Sequence, residues 1–294
     1  METKIRFQFS ILMLPNFHYI SVYPNDTFPN ESEQSCVVRV ESKYGEYKLM
    51  NFNGRTIRIL PSRSVDTFSI CSDNKFDESI FVLDYLMELF PTSKLSGLKI
   101  GEGDKQAEKT LIKWIKRRNS SEVEYCRLWY CFNSRDFLNL VDSIQITSGL
   151  TIIAQFPAAF KCQLPENLQH FECYYSKWIT KNQLLKMNYE YFMLCDTEFQ
   201  NQDGANLVNK CINGDLPALR FARIEINSLN LDELVKGVSY ERTESRLECI
   251  VKPTRYSLQE YPMKGRYEYK MSDSKILTIS QSSRDFLEIY IRSK

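Results

Sequence analysis

The stretch LPALRF at residues 216–221 decides how the middle of this 294-residue chain folds. Its apolar residues stand at the first, fourth and sixth positions, and helix-like stretches flank it, DGANLVNKCINGD before it and NLDELVKGV after it. It is either one ordinary strand between two helices or one copy of a repeat. A single strand between helices is compatible with an active site, whereas a repeat is typical of proteins with an extended binding surface.

The same three-position apolar pattern occurs five more times upstream of LPALRF. The six triplets are Leu95–Leu98–Ile100, Val123–Cys126–Leu128, Thr147–Leu150–Ile152, Leu168–Phe171–Cys173, Tyr189–Phe192–Leu194 and Leu216–Leu219–Phe221. Their middle residues are 28, 24, 21, 21 and 27 positions apart, and leucine-rich repeats have periods of about 20–29 residues. The sequence therefore predicts an α/β fold with a leucine-rich-repeat-like curved parallel sheet and helices on one face.

An irregular α/β domain is the alternative, because apolar triplets also recur wherever strands are buried. The leucine consensus is degenerate here, and no asparagine ladder follows it. Six stretches with helical spacing of apolar residues alternate with the triplets, the first of them ended by Pro91. The later ones begin at or behind Asp104, Ser134, Thr180, Asp203 and Asn230.

Local sequence signals locate the ends of two of these helices. Thr180 and Gln183 have the spacing of a capping box, in which each side chain caps the backbone of the other residue. Asp203 is placed to cap the next helix, and Gly214 to end it in a left-handed conformation.

The repeat region, residues 76–240, lies between two β-rich segments. Residues 36–75 contain strand-like runs with Asn53-Gly54 between two of them, which predicts a hairpin. Residues 245–292 contain LECIVK, RYEYKM, KILTIS and DFLEIYI, which predict a terminal β cap with a hairpin.

Composition excludes several classes of partner. The net charge is +1, with 38 basic and 37 acidic residues, which gives no reason to expect nucleic acid or an anionic membrane surface. The longest apolar run, SIFVLDYLMELF, is interrupted by Asp84 and Glu88 and is too short to span a bilayer. Nine cysteines without a C-x-x-C pair indicate free thiols in a reducing compartment, so the protein is expected to be intracellular, in the cytoplasm, the nucleus or both.

A secreted, glycosylated interaction module is the alternative location. Lys4 and Arg6 precede the apolar run FQFSILML, and glycosylation sequons occur at Asn25, Asn30 and Asn119. The apolar run is short, however, and no small-residue cleavage site follows it.

No specific catalytic or metal-binding pattern is present. The chain has two histidines, His18 and His170, and a nucleophile–histidine pair would need one of them. There is no thiolate pair at zinc spacing, and GEGDKQ lacks the lysine and hydroxyl ending of a phosphate loop. We therefore expect neither enzymatic activity nor a cofactor; the alternative is an enzyme whose site is assembled from scattered polar residues.

One long stretch carries a family resemblance: WITKNQLLKMNYEYFMLCDTEFQNQDGANLVNKCINGDLPALRFARIEI, which begins at Trp178. It resembles the F-box-associated domain of the large nematode F-box protein family, of the type 2, Sdz-like kind. The matching residues are Trp178, Ile179, Thr180, Leu184, Leu185, Met187, Asn188, Asn206, Leu207, Ile212, Gly214, Leu219, Leu229 and Asn230. Cys211 stands where that family usually has Trp. Most of the matching residues are apolar, so a structural role in the core is expected for them.

The resemblance implies a function in protein recognition. In that family an F-box docks on the Skp-type adaptor of a cullin–RING (SCF-type) ubiquitin ligase, and the associated domain selects the protein substrate. FSILMLP at Phe9–Pro15 resembles the opening of an F-box, so Phe9, Leu12, Leu14 and Pro15 are the candidate adaptor-docking remnant. The resemblance thus divides the chain into an F-box remnant with its linker, residues 1–35, and an F-box-associated domain, residues 36–292. The alternative is a free-standing interaction protein that no longer docks on the ligase.

Overall fold

The computed structural model of the chain describes most of its residues. The described ranges are 7–13, 17–24, 36–41, 47–52, 54–60, 67–90, 94–100, 105–117, 122–129, 133–243, 247–254, 257–263, 266–271, 274–282 and 285–293. The chain divides into two compact units, unit 1 at residues 1–147 and unit 2 at residues 148–294.

The described part of unit 1 contains eight strands in a mixed sheet. They are β1 (Phe7–Met13), β2 (Phe17–Pro24), β3 (Cys36–Glu41), β4 (Lys48–Phe52), β5 (Arg55–Leu60), β6 (Thr67–Cys71), β7 (Lys94–Ile100) and β8 (Glu122–Trp129). Their order across the sheet is β4-β5-β6-β3-β2-β1-β7-β8. β7 is parallel to both β1 and β8, and Leu98 lies opposite Cys126, so the first two triplets are neighbouring strands in register.

Three helices of unit 1 connect or follow these strands: α1 (Lys75–Leu89), α2 (Lys105–Arg117) and α3 (Ser134–Val141). α1 ends two residues before Pro91, as predicted. The caps come from asparagines: Asn74 accepts from the backbone N–H of Asp77, and Asn133 accepts from the N–H groups of Arg135 and Asp136. Ser134 is therefore the first helical residue rather than the cap, and Asp104 lies outside the described residues.

The N-terminal strands differ from the sequence expectation, which assigned residues 1–35 to a docking remnant and a linker. β1 and β2 pair with each other, β1 also pairs with β7, and β2 also pairs with β3. The physical reason is the alternation of buried residues such as Phe9, Ile11, Ile20 and Val22, which gives each strand one apolar face. Residues 25–35, which belong to the predicted linker, lie outside the described residues.

The strands of unit 2 form a mixed parallel and antiparallel set and a separate hairpin. Its strands are β9 (Gln145–Ile153, which begins before the unit boundary), β10 (His170–Cys173), β11 (Tyr191–Leu194), β12 (Phe221–Glu225), β13 (Glu241–Thr243), β14 (Leu247–Thr254), β15 (Ser257–Met263), β16 (Arg266–Lys270), β17 (Lys275–Gln281) and β18 (Phe286–Ser293). The order is β9-β10-β11-β12-β18-β17-β16-β13, and β14 pairs with β15. β9 to β12 are parallel, whereas the strands from β18 to β13 are antiparallel. The predicted hairpin near the C-terminus is β16–β17.

Three helices of unit 2 follow the parallel strands: α4 (Lys181–Leu184), α5 (Asn201–Ile212) and α6 (Leu231–Leu234). The Thr180–Gln183 capping box of α4 is confirmed, and Gly214 has the predicted left-handed backbone with a φ of 76°. The cap of α5 was wrongly predicted. Gln200 is the N-cap residue, and Asp203 reaches back to accept from the backbone N–H of Gln200.

The sixth triplet was assigned to the wrong residues. In the register of β11 and β12, Phe192 lies opposite Ala222, and Leu194 lies opposite Ile224. Leu216 and Leu219 precede the strand, and Phe221 lies opposite Tyr191 on the other face. The equivalent of the triplet is thus Leu219–Ala222–Ile224; a small alanine at its middle position, between two buried neighbours, concealed it. The mixed α/β class is confirmed.

Candidate interaction face

The sheet of unit 2 has two faces with different chemistry. Alternate residues of a strand point to opposite faces, and the register places one row of apolar residues on the first face: Leu150, Phe171, Phe192, Ala222 and Ile289. α5 packs on this face, because a Cβ atom on Gly204 would lie 2.7 Å from Ile226 Cδ1 and 3.2 Å from Leu287 Cδ2. This face is the core of the unit.

The opposite face is called the ladder face. Its residues form three rows that cross the strands, and each row has its own character. The first row is His170, Tyr191, Phe221 and Tyr290; the second is Thr151, Glu172, Met193, Arg223 and Glu288; the third is Tyr174, Cys195, Glu225 and Phe286.

The first row is a stack of rings. The imidazole of His170 lies 4.5 Å from the ring of Tyr191 at an interplanar angle of 5°, and Tyr191 lies 5.4 Å from Phe221 at 7°. Neighbouring strands are about 4.8 Å apart, so rings at equivalent positions are brought to stacking distance by the sheet itself. All three side chains are buried, which makes this row a rigid part of the face.

The second row contains charged groups that are held in place by neighbours. His170 Nε2 lies 3.2 Å from Glu172 Oε1, and the hydroxyl of Thr151 donates to Glu172 at 3.3 Å.

Further along the second row, Glu288 is fully buried. It accepts from the Ser280 hydroxyl at 3.2 Å, and the guanidinium of Arg223 lies 3.8 Å away. Burial raises the pKa of the Glu288 carboxyl above its ordinary value, against the opposite effects of the Ser282 hydroxyl, the Arg223 charge and the Ser280 hydroxyl.

The third row lies toward the carboxyl ends of the parallel strands and is half-buried rather than buried. Together with Arg223 it forms what we call the rim: Tyr174, Cys195, Arg223, Glu225 and Phe286. Arg223 covers the ring of Phe286 at 4.6 Å.

The loop after β11 is fixed to the rim. The backbone N–H of Asp196 donates to Glu225 Oε2 at 2.5 Å, and Lys177 Nζ lies 2.8 Å from Asp196 Oδ1. In open α/β sheets, ligands bind at the carboxyl ends of parallel strands, which is where the rim lies. Two aromatic side chains and an arginine are the residue types that contribute most to protein–protein binding.

The cysteine of the rim is not an activated nucleophile. Burial, followed by the charge of Glu225, raises the pKa of the Cys195 thiol to about 11, so the thiolate is a minor species at neutral pH. Burial similarly raises the pKa of Cys173 to about 11 and that of Cys211 to about 12. These thiols pack as small apolar groups.

A serine and a histidine do meet in unit 1. His18 Nδ1 lies 2.9 Å from the Ser79 hydroxyl, and both side chains are buried. The Ser79 hydroxyl donates to the carbonyl of Lys75 at 2.7 Å, the helix residue four positions earlier. A nucleophilic serine would instead donate to the histidine and face the substrate, so this pair is better explained as a structural contact.

Neither a metal-binding cluster nor a membrane-spanning helix is found in the part of the chain that the structure describes. Its His, Cys, Asp and Glu side chains form no cluster of three that could hold a metal ion. None of its helices has the length and apolar character needed to cross a bilayer.

The predicted docking residues are distributed between described and undescribed positions. Phe9 is fully buried in β1, opposite Val22 of β2 and Leu95 of β7. Leu12 belongs to the same strand, opposite Tyr19, and Leu14 and Pro15 lie outside the described residues. Docking through Phe9 would therefore require β1 to leave the sheet.

The predicted family-motif residues lie mostly in the core of unit 2. Five are buried, namely Trp178, Ile179, Leu184, Leu207 and Leu219. Asn206 is half-buried and accepts from Gln202 at 3.1 Å, and Gly214 follows α5. None of the seven is on the ladder face. The ladder face was not predicted, because its residues alternate with those of the apolar triplets. Its sequence signal is the offset of one position from the triplets, which His170-x-Glu172 and Phe221-x-Arg223 show.

Comparison with known proteins supports one family. The model of the family described as F-box associated matches residues 159–224, which include Trp178 to Leu219 of the motif and most of β10, β11 and β12. No curated protein and no solved structure matches the chain. The likeness to the F-box-associated family is thereby confirmed over residues 159–224.

Proposed function

We propose that this chain is a non-catalytic protein-interaction protein, a substrate-recognition module related to the F-box receptors of SCF-type ubiquitin ligases. The observation that carries the proposal is the position of the rim: three of its five residues, Tyr174, Cys195 and Arg223, lie in the range that matches the F-box-associated family. The proposed substrate is a protein. Tyr174, Phe286 and Arg223 contact it at the centre of the rim. The likeness to the nematode, Sdz-like type supports the same role.

The proposal includes a leucine-rich-repeat-like architecture for the parallel region. β9, β10 and β11 are parallel neighbours whose aligned residues, Leu150, Phe171 and Phe192, are spaced 21 positions apart. A constant interval with constant register is what stacked repeat units require. Curvature of such a sheet would present the half-buried rim to a partner.

The non-catalytic part of the proposal rests on the chemistry of the rim and of the two histidines. The rim thiol is protonated at neutral pH. His18 lies beside a serine whose hydroxyl donates to a carbonyl within α1, and His170 is stacked on Tyr191 and lies 3.2 Å from Glu172. An interaction protein with free, protonated thiols is suited to a reducing compartment, which supports an intracellular location.

A second candidate function is a free-standing interaction protein that no longer docks on the ligase. The observation that favours it is the burial of Phe9 between β2 and β7. A residue that fills the core of unit 1 is not available to an adaptor unless β1 opens.

Adaptor binding separates the two functions. The purified full-length chain is titrated with the Skp-type adaptor, and a Leu14→Asp variant is titrated beside it. Removing residues 1–35 is unsuitable, because it would delete β1 and β2 from the sheet. Binding that the substitution abolishes supports a ligase receptor, whereas absence of binding by either protein supports the free-standing alternative.

Use of the rim is tested separately, by photo-crosslinking in cells. A crosslinking amino acid replaces Tyr174 or Phe286, and the matched control replaces Gln202, which is exposed on α5. We expect a common protein adduct at the two rim positions and its absence at Gln202. Equal labelling at all three positions would contradict binding at the rim.

A further inference from the structure

The edge strand β4 has the properties of a docking site that neither the family match nor the rim explains. It stands at the end of the strand order of unit 1 and pairs with β5 alone among the described strands. Two of its apolar side chains face solvent: Leu49 is 65% exposed and Met50 is 46% exposed, and Tyr47 just before the strand is 48% exposed. An edge strand of this kind is a template for pairing with another chain.

β4 lacks the features that protect sheet edges in soluble proteins. Such edges are short, bulged, or carry prolines and several charges. The end strand of the unit 2 sheet, β13, fits this description, because it has three residues, two of them charged. β4 has five residues, regular pairing with β5 from Lys48 to Phe52, and one charge.

The outward backbone groups of β4 can be assigned from its turn. Phe52 lies opposite Arg55 across a two-residue turn in which Gly54 has a φ of 80°. Residues that flank such a turn form a hydrogen-bonded pair, and these pairs alternate with non-bonded pairs along the ladder. The N–H and C=O groups of Leu49 and Asn51 therefore point away from β5.

The positive charge of the β4–β5 hairpin favours an acidic partner. Between Tyr47 and Leu60 the sequence contains Lys48, Arg55 and Arg58 and no acidic residue. Glu78 pairs with Arg55 at 2.9 Å and Asp73 lies 3.8 Å from Arg58, whereas Lys48 has no ion pair among the described residues. An added strand with acidic side chains would find cations on both strands of the hairpin.

A second copy of this chain fits the edge less well. Two copies would bring three cations each to the same contact. A pair of five-residue strands is only about 17 Å long, and stable protein dimers bury about 1,200–2,000 Å² in total. A flexible segment of another protein needs no such area, because main-chain hydrogen bonds and alternate side chains supply its recognition.

We propose that β4 is a strand-addition site, which takes up an extended segment of a partner protein with alternating acidic and aliphatic residues. The outward backbone of Leu49 and Asn51 holds the segment, Leu49 contacts its aliphatic side chains on one face of the sheet, and Lys48 attracts its carboxylates on the other face. This site belongs to unit 1 and stands whether or not the rim binds a ligase substrate.

The test uses a fluorescent ten-residue peptide of alternating Glu and Val, titrated with the full-length chain by anisotropy. Three matched peptides accompany it: one with Lys in place of Glu, one with the same composition in blocks, and one with methylated backbone nitrogens along one edge. We expect saturable binding of the first peptide, at least tenfold weaker binding of the other three, and slower amide exchange in Tyr47–Phe52 on binding.

Protein variants locate the site. Leu49→Pro removes an outward N–H, and Leu49→Lys places a charge on the edge; each is expected to weaken binding at least tenfold. Leu89→Lys is the control, because Leu89 is also an exposed apolar residue of unit 1, 52% exposed, at the end of α1. If Leu49→Pro fails to fold, Leu49→Lys and the methylated peptide still decide the question.

Three results would overturn the proposal. The first is no binding of the acidic peptide up to millimolar concentration. The second is binding that salt weakens but that Leu49→Lys and backbone methylation leave unchanged, which would indicate a charged patch. The third is self-association in sedimentation that Leu49→Lys abolishes and the peptide does not compete with, which would assign the edge to a second copy.

Discussion

Trp178 is the residue whose truncation is expected to destabilise unit 2 most. Its indole is 1% exposed, and the rings of Phe156 and Phe160 pack against it edge-to-face at 5.9 and 5.2 Å. Trp178→Ala would leave a large cavity among aromatic rings, so we expect the free energy of unfolding to fall by about 3–5 kcal/mol. Urea denaturation followed by circular dichroism measures this change.

The control for Trp178 is Tyr174→Ala, which truncates a half-buried aromatic residue on the rim, four positions earlier. Tyr174→Ala should lower the free energy of unfolding clearly less than Trp178→Ala, because part of the Tyr174 ring already faces solvent. Equal losses for the two variants, or an unchanged melt for Trp178→Ala, would contradict the packing role of Trp178.

Glu288 gives unit 2 a specific dependence on pH. Burial raises the pKa of its carboxyl in the folded protein above the ordinary value of 4.5. The folded state then binds more protons than the unfolded state between these two values, so the contribution of Glu288 to stability falls as pH rises through that window. Above this pH window the buried carboxylate is ionised, and it lowers the free energy of unfolding by its full amount.

Replacing this carboxyl by an amide removes the titration and keeps the shape. We expect the free energy of unfolding of Glu288→Gln minus that of the wild type to increase as pH rises from 4.5 and then to become constant. Chemical denaturation at a series of pH values measures both profiles, and all other titrating groups cancel in the difference. Parallel profiles would show that Glu288 has no raised pKa.

At the scale of the element, α4 depends on its first turn. Thr180 Oγ1 accepts from the N–H of Gln183 at 3.2 Å, Gln183 Oε1 accepts from the N–H of Thr180 at 2.9 Å, and Gln183 Nε2 donates to the carbonyl of Cys162 at 2.7 Å. Thr180→Ala removes one half of the box, and we expect a loss of about 1 kcal/mol. Thermal or urea denaturation of this variant tests the value.

Thr180→Ser is the matched control, since serine keeps the accepting hydroxyl and caps a helix as well as threonine does. Its stability should lie close to that of the wild type. A loss as large as that of the alanine variant would assign the effect to the threonine methyl group instead of the cap.

Elements whose signals are local could be predicted from the sequence, as α4 shows: its start, its box and its first buried leucine all follow from Thr180 to Leu184. β12 could not be predicted in the same way. Both Phe221 and Ala222 are buried, so neither alternation nor size distinguishes the two faces at this point. Only pairing with β11, a non-local contact, fixes which residue continues the triplet.

At the scale of the whole molecule, the difference between local sequence signals and non-local contacts also separates the core from the candidate site. The apolar triplets predicted the parallel strands because every copy repeats the same local pattern. The ladder face arises where His170, Tyr191, Phe221 and Tyr290, which are distant in sequence, meet across four strands. No local spacing encodes that meeting, and the antiparallel entry of β18 beside β12 completes it. Which residues meet on this face is therefore determined only by the register of the strands.

The N-terminal strands link the fold of the chain to its proposed docking. Phe9 is in the core of unit 1, and the hydroxyl of Ser96 on β7 donates to the carbonyl of Phe9 at 3.1 Å. If an adaptor binds through Phe9, it binds a form in which β1 has left the sheet, and its apparent affinity is reduced by the rarity of that form. Anything that weakens the attachment of β1 should then tighten adaptor binding.

Ser96→Ala provides this change, since it removes one buried hydrogen bond of about 1 kcal/mol. A shift of that size makes the open form about fivefold more common, so we expect the dissociation constant for the Skp-type adaptor to fall about fivefold, as measured by calorimetry. Ser176→Ala in unit 2 is the matched control, because its buried hydroxyl also donates to a backbone carbonyl, that of Cys173, at 2.8 Å. It should lower stability without changing adaptor affinity. Equal affinity for Ser96→Ala and the wild type would mean that Phe9 stays in the sheet when the adaptor binds and that docking uses other residues.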